Sequence, residues 1–116
     1  MFTISPTSYA WFTNEAERKF VLDLVTFLRQ NVPELAGEPA DAMIAQVTLL
    51  LEQARSYGLM SEQHVAVFAL TAAQLGTDFV EKFPGAREIL TLELSADEKV
   101  SLLEAFTLNL FEILAA

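Results

Sequence analysis

The single histidine, His64, is the residue of this chain best suited to proton transfer near neutral pH. An imidazole that acts as a general base needs a nucleophile and an orienting acid within hydrogen-bond reach. Glu62 lies only two positions away, so on a helix the two side chains point about 200° apart and cannot share a metal ion. We therefore predict that His64 is a surface residue in the first turn of a helix.

Carboxylates form three local clusters, at Asp97 and Glu98, at Asp78 and Glu81, and along Glu34, Glu38 and Asp41. The first cluster lies in a predicted first helical turn, where the helix dipole stabilises negative charge. None of the clusters has the ligand spacing of a calcium loop, and the chain has no inward ExxH, phosphate-loop, GxSxG or dinucleotide motif. We predict a non-catalytic protein with no metal and no cofactor.

Composition narrows the class of protein further. The absence of cysteine excludes disulfides, thiolate metal sites and cysteine nucleophiles. Seven Lys and Arg against sixteen Asp and Glu give a formal net charge of -9, which would repel nucleic acids and anionic membranes. The N-terminal residues lack a signal-peptide pattern, and no apolar run reaches the roughly 18 residues of a membrane span. These features predict a soluble cytoplasmic protein whose partner is another protein.

The elements that position these residues are predicted to be helices. Ser5 followed by Pro6 is a helix start, and apolar residues then recur at three- and four-residue spacing as far as Asn31. Asn14 and Glu17 form a second capping pattern that could restart this helix. The first helix is therefore predicted over about 6–31, with a break near Thr13 as an alternative.

Glycine and serine mark the bounds of the later helices. Gly58 ends the second helix, Ser61 caps the third, and Gly76 closes it. Ser95 and Glu98 form the SxxE capping box that opens the last helix. The predicted fold is an all-α bundle in one domain, 1–116, with four main helices over about 6–31, 39–57, 61–75 and 95–115 and one or two short helices between 77 and 91. The third helix, apolar on nearly every side, is predicted to be central.

The last helix carries more apolar surface than one helix of a small bundle needs. The whole chain is 53% hydrophobic, against about 45 to 50% in typical domains. We expect part of this helix to pack against the third helix and the rest to bind another chain. The residues expected to pack are Leu103, Phe106, Leu110 and Ile113. The predicted partner-binding residues are Leu108, Leu110, Phe111 and Leu114, and secondarily Trp11 and Phe12.

The middle of the chain resembles a known family of proteins. From Arg55 to Glu98 it is similar to small all-helical accessory proteins encoded beside the adaptor chaperones that load toxic effectors onto the type VI secretion machinery. The residues that carry the resemblance are Arg55, Tyr57, Gly58, Ser61, Glu62, Val65, Gly76, Asp78, Phe79, Ile89, Leu90, Leu94, Ser95 and Glu98. Phe83 to Ala86 depart from the pattern, since relatives often carry a tryptophan after the proline, and the short helix there is expected to pack differently.

The resemblance implies a co-chaperone that binds and stabilises an adaptor chaperone, with or without its effector, and it supplies no catalytic residues. An alternative is an immunity protein that presents its acidic surface to a toxin with a basic active site. Both a monomer and a homodimer are compatible with the sequence. An enzyme that uses His64 or unpaired carboxylates is a third hypothesis.

Overall fold

The computed structural model describes residues 15–115, and within this range the chain folds into helices with no strand. The helices are α1 (Glu15–Asn31), α2 (Ala40–Ser56), α3 (Glu62–Leu75), α4 (Phe79–Lys82), α5 (Pro84–Thr91) and α6 (Ala96–Ala115), and a 3-10 turn spans Pro33–Leu35. The all-α prediction is confirmed, as are the two short helices between 77 and 91. The predicted first helical residues, 6–14, lie outside the described range.

Contacts between Cα atoms divide the chain into two compact units, Met1–Leu49 and Leu50–Ala116. The division falls inside α2, so that the first part of this helix belongs to one unit and its last two turns to the other. Each unit contains fully buried residues, such as Val21 in the first and Phe68 in the second. The organisation of the chain as one domain stays a prediction.

The first unit contains the amphipathic helix α1, the 3-10 turn that contacts it and the first part of α2. Apolar residues at i, i+3, i+4 and i+7 make one face of a helix, and in α1 these are the buried Val21, Leu24, Val25 and Leu28. Lys19 and Asp23, on the exposed side, form an ion pair of 2.6 Å between Nζ and Oδ2. Such an exposed i, i+4 pair stabilises a helix by only about 0.3–0.5 kcal/mol.

In the second unit, glycine ends α2 and α3 as predicted. Gly58 has φ +87°, its N–H donates to the Arg55 carbonyl, and the N–H of Leu59 donates to the Ala54 carbonyl. This pattern of two hydrogen bonds is the Schellman motif. Gly76, with φ +109°, donates its N–H to the Ala72 carbonyl and stops α3.

The predicted serine caps are also present. Ser61 Oγ accepts a hydrogen bond of 3.1 Å from the His64 N–H at the start of α3. At the start of α6 the capping box is reciprocal: the Glu98 N–H donates to Ser95 Oγ at 3.1 Å, and the Ser95 N–H donates to Glu98 Oε1 at 3.0 Å. These caps fix the positions at which the two long helices of the unit begin.

Aromatic residues fill the centre of the second unit. The fully buried Phe68 of α3 lies between Tyr57 and Phe79, with ring centroids 6.2 and 5.1 Å away. Phe79 is fully buried as well, whereas Phe83 is half-buried. The Phe83 ring lies beside the half-buried Phe106 ring, 6.1 Å away in an edge-on arrangement.

The segment that departs from the family pattern makes a close helix contact. A Cβ atom at Gly85 would lie 2.8 Å from Cε1 of Phe106, closer than real Cβ atoms approach. Gly85 therefore allows α5 to lie directly against α6. A tryptophan at this position would require Phe106 to move.

Candidate protein-binding surface

One apolar stripe of α6 is buried at its start and exposed at its end. Val100, Leu103 and Thr107 follow each other at helical spacing and are buried, with Leu103 completely inaccessible. The same stripe continues through Leu110, which is half-buried, to Leu114, which is 71% exposed. The apolar stripe of α6 thus continues beyond the part of the helix that other residues bury.

The two helices that border this region differ in length. The first turns of α3 and α6 are joined by a contact of 2.6 Å between Nε2 of His64 and Oδ1 of Asp97. α3 has 14 residues and α6 has 20, a difference of six. At 1.5 Å per residue, α6 is about 9 Å longer than α3.

Four residues of the last helix were expected to pack against α3. Leu103 is buried, and Phe106 and Leu110 are half-buried, with Phe106 lying against Phe83 and Gly85. The expectation that Ile113 packs against α3 is wrong, because Ile113 is 71% exposed. At 100° per residue, Ile113 lies about 80° around the helix from Leu103 and so lies off the buried stripe.

The predicted partner-binding residues of α6 form a largely accessible group. Leu108 is 62% exposed, Phe111 is 40% exposed and Leu114 is exposed, while Leu110 lies at the border with the core. We call Leu108, Phe111, Ile113 and Leu114 the C-terminal apolar surface. Exposure of so many large apolar side chains on one short segment is typical of a protein-binding surface.

A groove between α3 and α6 opens beside this surface. It has a volume of about 230 Å³. Its α6 wall is formed by Glu104, Thr107, Leu108 and Phe111, and its α3 wall by Val67, Leu70, Thr71 and Gln74. On both helices these positions follow the i, i+3, i+4, i+7 spacing of a single face, so two parallel ridges border the groove.

The floor of this α3–α6 groove is apolar in character. Thr71 Oγ1 donates to the Val67 carbonyl at 2.8 Å, and Thr107 Oγ1 donates to the Leu103 carbonyl at 2.9 Å. Because both hydroxyl protons are used within their own helices, the threonines offer a ligand methyl groups and acceptor oxygens but no hydrogen-bond donor. The groove therefore provides hydrophobic contact with few hydrogen-bond donors.

The residues that line the groove include one carboxylate, Glu104, and no Lys or Arg. Glu104 is exposed on the α6 wall, and the neutral Gln74 is exposed on the α3 wall. The sequences of α3 and α6 contain a single Lys or Arg, Lys99, whose Nζ donates to the Tyr57 carbonyl at 2.8 Å. A ligand at the groove thus meets uncompensated negative charge.

Sequence reasoning missed the α3 wall of this groove. Val67 and Leu70 belong to the helix predicted to be central because it is apolar on nearly every side, whereas both residues are half-buried. The signal that could have revealed them is Gln74, a polar residue at the end of the same i, i+3, i+7 face. The predicted residues Trp11 and Phe12 lie outside the described residues.

Of the residues considered for chemistry, the structure brings His64 and Asp97 into contact, with Nε2 and Oδ1 2.6 Å apart. His64 is in the first turn of α3 as predicted, but its side chain is only 18% exposed, whereas that of Asp97 is 90% exposed. Within residues 15–115, no group of three or more His, Asp or Glu side chains is placed to hold a metal ion. No helix in that range is sufficiently long and apolar to cross a membrane.

Comparisons of the chain with protein-family models, with curated protein sequences and with solved structures give no significant match.

Proposed function

We propose that this protein is a non-catalytic co-chaperone that binds and stabilises an adaptor chaperone for effector delivery by type VI secretion. The observation that carries the proposal is the exposure of the C-terminal apolar surface, where Leu108 and Leu114 are each more than half accessible. A helix that continues its apolar stripe beyond its own core is suited to be completed by another chain.

The residue pattern from Arg55 to Glu98 supports the choice of partner. It resembles accessory proteins of adaptor chaperones, including a co-chaperone of the adaptor TecT. An adaptor of that kind is therefore the partner to test first. The resemblance covers the caps and glycine stops that position α3 and α6, and these are the helices that border the groove.

The binding energy is expected to concentrate at the large side chains of the surface. Interface hot spots are usually aromatic or bulky residues in a well-covered centre, surrounded by polar groups. Phe111 meets this description, with Leu108 beside it in the groove wall and Glu104 at the rim. An interface of ordinary size would cover about 800 Å² on this protein.

Co-purification with an adaptor chaperone from the same gene cluster tests the proposal. We expect the wild type to capture the adaptor, and the double variant Leu108→Asp, Phe111→Asp to lose it while melting within a few degrees of the wild type. Leu102→Asp is the matched control, because Leu102 is on the same helix, is 44% exposed and lies outside the groove. Failure of the folded wild type to bind any such adaptor would overturn the proposal.

An immunity protein is the second candidate function, favoured by the net charge of -9. Such a protein would place its carboxylates against a basic toxin site. The two functions separate in a simple experiment, since an immunity protein captures the toxin in the absence of any adaptor and protects cells that express it. A co-chaperone captures the adaptor and gives no such protection.

A further inference from the structure

We propose that the α3–α6 groove binds one amphipathic helix of the partner, with apolar residues on one face and Lys or Arg residues along its edges. This inference rests on the proposed function only in that the ligand is a segment of another protein. It adds the chemistry of that segment and the place where it binds.

The spacing of the two walls favours a helix as the ligand. Each wall presents residues at i, i+3, i+4 and i+7, over Val67 to Gln74 on α3 and Glu104 to Phe111 on α6. Seven residues of helix span about 10 Å, or two turns. A ligand helix that inserts apolar residues at the same spacing can lie between the two ridges, which is the helix-in-groove mode of peptide recognition.

The size of the groove argues against a small-molecule ligand. Its volume of about 230 Å³ is below the range of about 300–1,000 Å³ found for small-molecule sites. The threonine hydroxyls of the floor donate within their own helices. A small ligand would therefore find little polar recognition, whereas apolar side chains of a helix need none.

The negative charge at the rim of the groove determines which charged residues the ligand helix should carry beside its apolar stripe. Glu104 faces the groove entrance, Glu112 follows on the exposed side of α6, and Lys99 is already bonded to the Tyr57 carbonyl. A helix with Lys or Arg beside its apolar stripe would complement these carboxylates, while a helix with Asp or Glu there would be repelled. Complementary charge also accelerates association at low salt.

The same charge disfavours a second copy of this chain as the ligand. The Glu104 of one copy would find no free Lys or Arg on α3 or α6 of the other, since Lys99 is bonded to the Tyr57 carbonyl. Each copy also carries a formal charge of -9. Like charges across an interface oppose its formation.

Binding of designed peptides to the full-length protein tests this inference. The probe is a fluorescent helical peptide with Leu at i, i+3, i+4 and i+7 and Lys on both edges of that stripe. One control peptide replaces every Lys by Glu, and another keeps the Lys-peptide composition in a scrambled order. We expect the Lys peptide to bind at least tenfold more tightly than either control, and its affinity to fall with added salt.

Two pairs of variants locate the site. Glu104→Lys should weaken Lys-peptide binding about fivefold and improve Glu-peptide binding, whereas Glu88→Lys, with the same charge change on exposed α5, should alter neither by more than about twofold. Leu108→Asp should weaken Lys-peptide binding at least tenfold, and Leu102→Asp should leave it nearly unchanged. Backbone amide chemical shifts of the wild type should change chiefly along the two groove walls, a readout independent of any variant.

The outcomes distinguish this inference from the proposed function. Equal binding of the Lys and scrambled peptides, or equal effects of Glu104→Lys and Glu88→Lys, would overturn it, as would a wild-type homodimer that Leu108→Asp dissociates. If the peptide binds in the groove but no adaptor is captured, the inference stands and the proposed function fails. If an adaptor is captured and neither Glu104→Lys nor Leu108→Asp alters the capture, the proposed function stands and this inference fails.

Discussion

The first half of α6 and its last two turns carry the same apolar spacing but have different surroundings. In the first half, Leu103 is fully buried beneath its neighbours in the second unit. In the last turns, Leu114 continues the stripe and is 71% exposed. An amphipathic pattern therefore predicts a face that needs a partner, but it does not tell whether that partner is in the same chain.

The largest effect on stability is expected when the same substitution, leucine to alanine, is made in each half of α6. Leu103→Ala should lower the free energy of unfolding by about 3 kcal/mol, because it removes buried methyl groups and leaves a cavity. Leu114→Ala should change it by less than about 0.5 kcal/mol, since the side chain is exposed. Urea unfolding of both variants measures the difference, and similar losses in the two would show that the end of α6 belongs to the core.

A second prediction concerns the glycine that ends α3 and so leaves the end of α6 uncovered. Gly76 has φ +109° and ψ 148°, a conformation that side chains strongly disfavour, and an added Cβ would lie 2.9 Å from Oδ1 of Asp78. Gly76→Ala should therefore cost about 2 kcal/mol in thermal or urea unfolding. Gly37→Ala is the control, because a Cβ there meets no atom within 4 Å. Equal stability of the two variants would contradict the proposed strain.

The border between the buried first half of α6 and its exposed last turns is expected at Leu110. This residue is half-buried, so Leu110→Ala should destabilise the protein by about 1.5 kcal/mol, between the values expected for the matching changes at Leu103 and Leu114. The denaturant midpoint should therefore be lowest for Leu103→Ala, intermediate for Leu110→Ala and highest for Leu114→Ala. A Leu110 variant as stable as the wild type would move the border toward Thr107.

The smallest effect is expected at the start of α6, where the capping box fixes the first turn. Ser95→Ala removes the oxygen that accepts the Glu98 N–H and should cost about 1 kcal/mol of stability. Ser101→Ala, at an exposed position on the same helix, should have almost no effect. Circular dichroism during thermal unfolding measures both, and a loss as large at Ser101 would mean that the cap contributes little.

The helix bounds were predictable from the sequence because they depend on neighbours within a few residues. Ser61, Gly76 and the Ser95–Glu98 pair each act through hydrogen bonds of one turn, and all of them form as expected. Local chemistry of this kind can be recognised without knowing how the helices pack.

The binding surface was predictable only in part because it depends on how far two helices run beside each other. Leu108 and Phe111 were identified as apolar residues of the last helix beyond those expected to pack on the third, whereas Ile113 was wrongly expected to pack. The groove also needs Val67 and Leu70, which an all-apolar helix pattern does not distinguish from core residues. Only the aligned starts of α3 and α6 and their unequal lengths reveal which residues remain accessible.

The central claim is that the end of α6 is a surface for another protein and contributes little to the fold. The most direct test is quantitative co-purification of an adaptor chaperone with three proteins. They are the wild type, the double variant that combines Leu108→Asp and Phe111→Asp, and the control Leu102→Asp. We predict equal capture by the wild type and Leu102→Asp, and at least tenfold less by the double variant at an unchanged melting temperature. Equal capture by all three proteins, or a double variant that no longer folds, would contradict the claim.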